Sequence, residues 1–203
     1  MSKVVCLAIS LLLISNLCLA ESSDELLKSA KSTFSSRKYD ESRPIFMKAL
    51  KAAQKEKNLV NITESLGMIT RTYTITKKPE EGRKWVVKTR KSTSPKEVKG
   101  WSRYLLERGR LERGESKPKV ATKTFIEAYE FCRKHKLHHR AVDAAHMVGI
   151  AGTKEQQVEW NLKAIKEAEE GKMKGWLAVG WNNLGYTYDD LGRYEESLEA
   201  YLK

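Results

Sequence analysis

Trp181-Asn182-Asn183-Leu184-Gly185-Tyr186-Thr187-Tyr188, then Gly192-Arg193-Tyr194-Glu195-Glu196-Ser197-Leu198-Glu199-Ala200-Tyr201, spells two helices and the turn between them. Trp181, Leu184, Gly185 and Tyr188 fall at i, i+3, i+4 and i+7, the spacing of one helix face. A glycine on that face lets a second helix approach closely, at some cost in helix propensity. Gly192 stops the first helix, and Tyr194 opens the second.

The same second-helix pattern recurs upstream. Tyr39, Pro79, Pro118, Glu155 and Tyr194 each follow a turn-like stretch, and seven residues beyond them stand Phe46, Val86, Phe125, Leu162 and Tyr201. Three residues beyond stand Ser42, Gly82, Ala121, Val158 and Ser197. A period near 37–40 residues marks a helical repeat. Start signals agree with it. Ser22 with Glu25, and Thr153 with Gln156, read as capping boxes, and so does Ser94-Pro95-Lys96-Glu97. Pro79 and Pro118 sit at first-turn positions, where a missing N–H costs little.

With Trp-x-x-Leu-Gly-x-x-Tyr in place, the last unit resembles a tetratricopeptide repeat, and the earlier units follow its pattern more loosely. Leu66-Gly67 reads as the Leu-Gly pair of the second unit. The third unit has Leu105 and Gly109 but Arg108 where Leu is expected, and the fourth has Val148-Gly149 with Ala145 in the Trp position. The reading is an all-α superhelix of five helix pairs, a TPR-like solenoid, with units at about 22–57, 59–92, 95–135, 138–170 and 174–203. An armadillo or HEAT solenoid is the alternative. Ten helices are expected, at about 22–35, 40–57, 59–75, 79–92, 95–113, 118–135, 138–151, 154–170, 174–191 and 194–203.

The resemblance implies a concave groove lined by first helices, in which a peptide or partner helix binds. Groove candidates lie off the apolar stripes: Asn61, Glu64, Met68 and Arg71 in the second unit; Lys99, Ser102 and Arg110 in the third; Asn182, Tyr186, Asp189 and Asp190 in the last. Some members of this family clamp a C-terminal carboxylate with Lys, Asn and Arg on successive first helices, and that set is missing here.

Ahead of the repeats, Lys3, the apolar run from Val4 to Ile14, and Leu17-Cys18-Leu19-Ala20 form a secretory signal peptide pattern. Residues 1–20 are therefore read as a leader cleaved after Ala20, with a retained anchor as the alternative, and the mature chain as secreted or periplasmic. Leu17 is a poor match for lipid attachment at Cys18. Cys132 alone remains after cleavage, so no internal disulfide forms, and the thiol is expected to pack as a small apolar group. Asn61-Ile62-Thr63 is a glycosylation sequon.

Charge is concentrated. From Lys77 to Arg140 there are twenty Lys or Arg against eight Asp or Glu, a difference equal to the whole chain's net +12. From Gly175 onward the balance is mildly acidic. A basic middle attracts an acidic protein or an anionic surface. Export, and the lack of exposed aromatics interleaved with the basic residues, argue against nucleic acid. The sequence gives no metal-ligand set, no cofactor motif and no nucleophile beside a base. Asp143 and His146, three apart, could meet on one helix face. The function read from sequence is a non-enzymatic protein-interaction scaffold. The alternatives are a sensor portion of a larger exported signalling protein and an electrostatic binder of anionic surfaces.

Overall fold

The structure, a computed structural model, describes residues 21–203. The expected leader, residues 1–20 with Cys6 and Cys18, lies outside the described residues. Among those described there is no strand, and no helix is long and apolar enough to cross a membrane.

Ten helices follow one another: α1 Ser23–Ser35, α2 Tyr39–Lys55, α3 Leu59–Ile75, α4 Pro79–Lys91, α5 Val98–Gly114, α6 Pro118–Lys134, α7 His138–Ala151, α8 Lys154–Glu170, α9 Lys174–Asp190 and α10 Tyr194–Tyr201. Both capping boxes at Ser22 and Thr153 form. The one expected at Ser94 does not. Glu97 N–H instead returns to the Ser94 carbonyl, closing a turn, and α5 starts at Val98. That turn makes the α4–α5 connection longer than the other links.

Most other links share one device. Arg37, Lys57, Lys77, Ser116, Lys136, Lys172 and Gly192 adopt positive φ just past a helix end. In each case the next N–H reaches back five residues, as Lys38 does to Thr33, Lys78 to Tyr73 and Arg193 to Tyr188. This is the Schellman arrangement, which satisfies the orphan carbonyls of the last turn.

Each helix packs on the next, and first helices also meet one another: α1 with α3, α3 with α5, and α5 with α7. Successive second helices make no comparable contact. The stack therefore closes on the side of the first helices and splays on the other, which makes the first-helix side concave.

The repeat register shows in which residue fills the space opposite each second helix. A Cβ added at Gly109 would sit 2.6 Å from the Phe125 ring, and one at Gly185 would sit 2.8 Å from Tyr201. In the fourth unit the partner of Gly149 is Asn161, not Leu162. Asn161 is buried and Leu162 is 43% exposed. Helix α8 begins at Lys154, so its inward position falls one residue earlier than counted from Glu155. The second unit shifts as well. Sixteen residues before Val86, as Gly109 precedes Phe125, stands Thr70, so Ile69-Thr70 holds the Leu-Gly place. Gly67 faces forward instead, against Arg103 of α5.

The core is not continuous. One apolar cluster joins Leu26, Leu27, Phe46, Leu50, Leu66 and Ile69. A larger one joins Leu105, Leu106, Phe125, Tyr129, Val148 and Trp160. A small third holds Ile165, Leu184 and Ala200. Cys132 lies in the second, and burial pushes its thiol up to about 12. Between the first two clusters, where α3 meets α5, the interior is charged.

Candidate functional site: a charged seam along the concave face

Glu64 of α3 is the centre of that interior. Arg103 of α5 donates to both its carboxylate oxygens, at 3.0 and 2.9 Å. Arg140 of α7 donates at 3.0 Å, and Lys31 of α1 lies 2.9 Å away. One carboxylate is thus shared by four successive first helices. Burial would raise its pKa, but Arg103, Arg140 and Lys31 together outweigh burial and hold it well below the usual carboxylate range.

A second node lies one turn further along. Glu107, fully buried, accepts from Arg103 at 3.0 Å and Arg110 at 3.1 Å, with Arg71 at 3.7 Å. Arg110 also donates to both oxygens of Asp143 at 2.6 Å. Burial works against the charge on Asp143 too, yet Arg110 and Arg71 keep its carboxyl well below the ordinary range. Burial and then neighbouring Arg110 lower the pKa of Arg71; burial and then Arg103 lower that of Arg140. The seam holds more cations than carboxylates. Close approach makes it possible, because Gly67 gives Arg103 its room and Gly100 lets α5 lie against Thr63.

Several of the groove positions expected from sequence are absorbed into this seam. Asn61, Glu64, Met68, Ser102 and Arg110 are buried, not solvated. Asn61 donates to Ser23 and Asp24, both at 2.8 Å, so the nitrogen of the sequon is already engaged in the folded chain. Met68 packs in the first apolar cluster. Ser102 bonds back to Val98 and Lys99 within its own helix and receives Arg140. Arg71 is partly exposed, and Lys99 is exposed. In the last unit Asn182, Tyr186, Asp189 and Asp190 face solvent; Asp190 pairs with Lys154. Asp143 and His146 do not form a couple. Asp143 is taken by Arg110, and His146 Nδ1 accepts from Asn183 at 3.0 Å. Burial, followed by Arg110, Arg113 and Arg71, holds His146 below its ordinary pKa against the pull of Asp143.

Lys31, Arg103, Glu107 and Arg140 were not singled out from the sequence, and Asp143 was singled out only as a neighbour of His146. A signal existed: Glu64–Arg103 are 39 residues apart and Arg110–Asp143 are 33, about one repeat. Opposite charges at equivalent places in adjacent units face each other in a solenoid. A further cluster also escaped notice. His138, Glu167 and Glu170 place ligand atoms within 4.8 Å of one another, but Arg133 lies 2.6 Å from Glu167 and already neutralises it.

The seam opens to solvent as a cleft of about 510 Å³. Leu27, Lys28, Lys31, Val60, Lys99 and Arg140 line it, with Asp24, Asn61 and Glu64. Four cations against two acids give it a positive balance, and the lining comes from α1, α3, α5 and α7. A second cleft, between α7, α8 and α9, is lined by Lys154, Asn161, Asn183 and Tyr186.

Comparison with known proteins agrees with this architecture. The sequence model for the tetratricopeptide repeat matches residues 178–203. No curated protein sequence matches the chain. Among solved structures, the chain is similar to a signal transduction ATPase with numerous domains, carrying a tetratricopeptide repeat sensor, PH0952 from Pyrococcus horikoshii. The TM-score is 0.65 at 18% identity, over 87% of this chain and 28% of that one. It is also similar to the apo form of RapI, with a TM-score of 0.61 at 11% identity, over 88% of this chain and 51% of that one. The chain thus spans about half or less of the length of either. The last unit thus matches the tetratricopeptide repeat by sequence, and the chain as a whole has the fold of stacked helix pairs seen in these structures.

Proposed function

We propose that the protein is a non-enzymatic interaction scaffold whose concave cleft receives an extended, acidic peptide segment of a partner. One observation carries this reading: a single cleft is lined by four successive first helices and holds twice as many cations as acids. Glu64 is saturated by Lys31, Arg103 and Arg140, so it competes little with an incoming carboxylate. Lys28 and Lys99 stand exposed at the mouth, where a carboxylate reaches them without desolvating the seam. Leu27 and Val60 offer apolar contact between them.

The test is fluorescence anisotropy of the 21–203 chain with a labelled peptide of alternating Asp and Pro, which stays extended. Affinity should fall at least tenfold in Lys99→Glu and drop steeply between low and physiological salt. A peptide that binds Lys99→Glu as well as the parent would overturn the reading. We propose also that the chain is exported. N-terminal sequencing of protein recovered from the envelope or medium should begin at Glu21; a chain beginning at Met1 would refute it.

A further inference from the structure

A second cavity lies away from the concave face. It is a wedge of about 580 Å³ between α4, α5 and α6. Its origin is structural. Gly67 and Gly100 draw α5 onto α3, and the long 92–97 connection gives α5 the slack to move there. Helix α5 consequently packs more extensively on α3 than on α4, and α4 stands off from it.

The floor of the wedge is apolar. Val86 and Leu111 are buried at its base, and Val87 and Val120 line it exposed, at 48% and 44%. The charges around it are unbalanced. Both acids on its wall are occupied, Glu112 by Arg108 and Thr124, Glu115 by Arg83 and Lys117. At the C-terminal end of α4, neither Arg90 nor Lys91, the two cations of that helix end that line the wedge, pairs with a carboxylate among the described residues. Arg90 lies over Trp101 and Tyr104. An apolar trough with unneutralised cations along one lip fits a helix with an apolar face flanked by carboxylates. Residues 1–20 of this chain cannot supply that, because they contain no Asp or Glu.

We propose that this wedge is a second docking site, which takes an acidic amphipathic helix of a partner protein. It is separate from the concave cleft and does not depend on it. The probe is a synthetic 18-residue helix with Leu at i, i+3, i+4 and i+7 spacing and Glu on both flanks. A matched helix carries Lys in place of Glu. Titration of the 21–203 chain should give saturable binding of the Glu helix, weakened at least tenfold by Val87→Glu and by Lys91→Glu, and unchanged by Lys99→Glu in the concave cleft. Val87 and Lys91 are exposed, so these variants keep the fold, which circular dichroism verifies. Equal binding of the Lys helix, or binding indifferent to Val87→Glu, would overturn the proposal. So would a wedge that takes only phosphatidylglycerol vesicles. Self-association of the parent that Val87→Glu abolishes, seen by sedimentation, would assign the site to a second copy and equally refute it.

Discussion

At the scale of the residue, Glu64 shows how a buried carboxylate can hold a fold together without adding net stability by itself. Its desolvation is offset only because three cations converge on it. Such pairs are costly to break, because the surviving charges are left buried. Glu64→Gln should therefore cost about 3 kcal/mol in a urea melt. Adding Arg103→Met should restore part of the loss, since one orphaned cation is removed with it. A double variant no more stable than the single would mean that Arg103 is solvated and the seam is open. The pH dependence follows from the same groups. Glu64 and Asp143 are held below their ordinary values, so their contribution is complete above the unfolded-state range and is lost as pH falls through it toward the folded values. His146 has the opposite charge type but the same slope. Its folded pKa lies below 6.5, so in that window the unfolded chain binds the extra proton and stability drops as pH falls. His146→Gln should flatten the stability profile between pH about 6.5 and 5 while leaving the steeper acid loss below it. An unchanged profile would show that the imidazole titrates as in water.

At the scale of the element, much of the molecule is legible in its sequence. Ser22 and Thr153 announce their helices because a hydroxyl three residues before Glu or Gln satisfies two donors locally, with no tertiary help. Pro79 and Pro118 do the same through their fixed φ. Ser94 carries the same local signal and fails, because α5 takes its position from α3 and not from its own cap. The one-residue error at Leu162 has a related cause: the two-residue link at Gly152 shortens the fourth unit, which counting along the chain does not reveal. The least legible elements are the turns. Five of the seven positive-φ residues are Arg or Lys, where glycine would be expected. A side chain in that region costs about 1 kcal/mol or more in strain. Lys57→Gly, Lys77→Gly and Lys136→Gly should each raise stability by about 0.5–1 kcal/mol, measured by denaturant melts, with the gains adding across these distant sites. Loss of stability in all three would mean that the cations make contacts at these turns worth more than the strain. The charged seam was hidden for another reason. Arg103 and Glu64 look like solvated helix residues until the repeat register places them face to face.

At the scale of the molecule, a solenoid's stability is close to a sum over neighbouring units, so unequal interfaces produce unequal local stability. The interfaces here are unequal. Helices α5 to α8 share the large cluster around Phe125, Tyr129 and Trp160. Helices α8 to α10 share only Ile165, Leu184 and Ala200 as buried members, with Trp181 and Tyr188 half-buried beside them. Leu198 of the last helix and Leu202 just past it are exposed. Hydrogen exchange under native conditions should accordingly show α6 and α7 opening only with the highest free energy and α10 opening first, with α9 next. The charged seam predicts a second boundary. Helices α1 to α4 share no apolar cluster with α5 to α8 and meet them through the ion pairs of the seam and a small apolar contact at Val86 and Leu111, so they should form a cooperative unit of their own. Glu64→Gln should then lower protection in α1 to α4 while leaving α6 to α8 close to the parent, because a break at the seam uncouples the halves without emptying either core. Uniform loss of protection across all ten helices would show that the chain unfolds as one unit and that the seam transmits cooperativity as well as an apolar contact does. Protection lost only in α1 to α4 would instead place a mechanical weak point beneath the concave cleft. Ligand carboxylates bound there would stabilise the unit whose cations they engage, and the same exchange experiment, repeated with the acidic peptide bound, should show protection rising in α1 and α3 before it rises in α9.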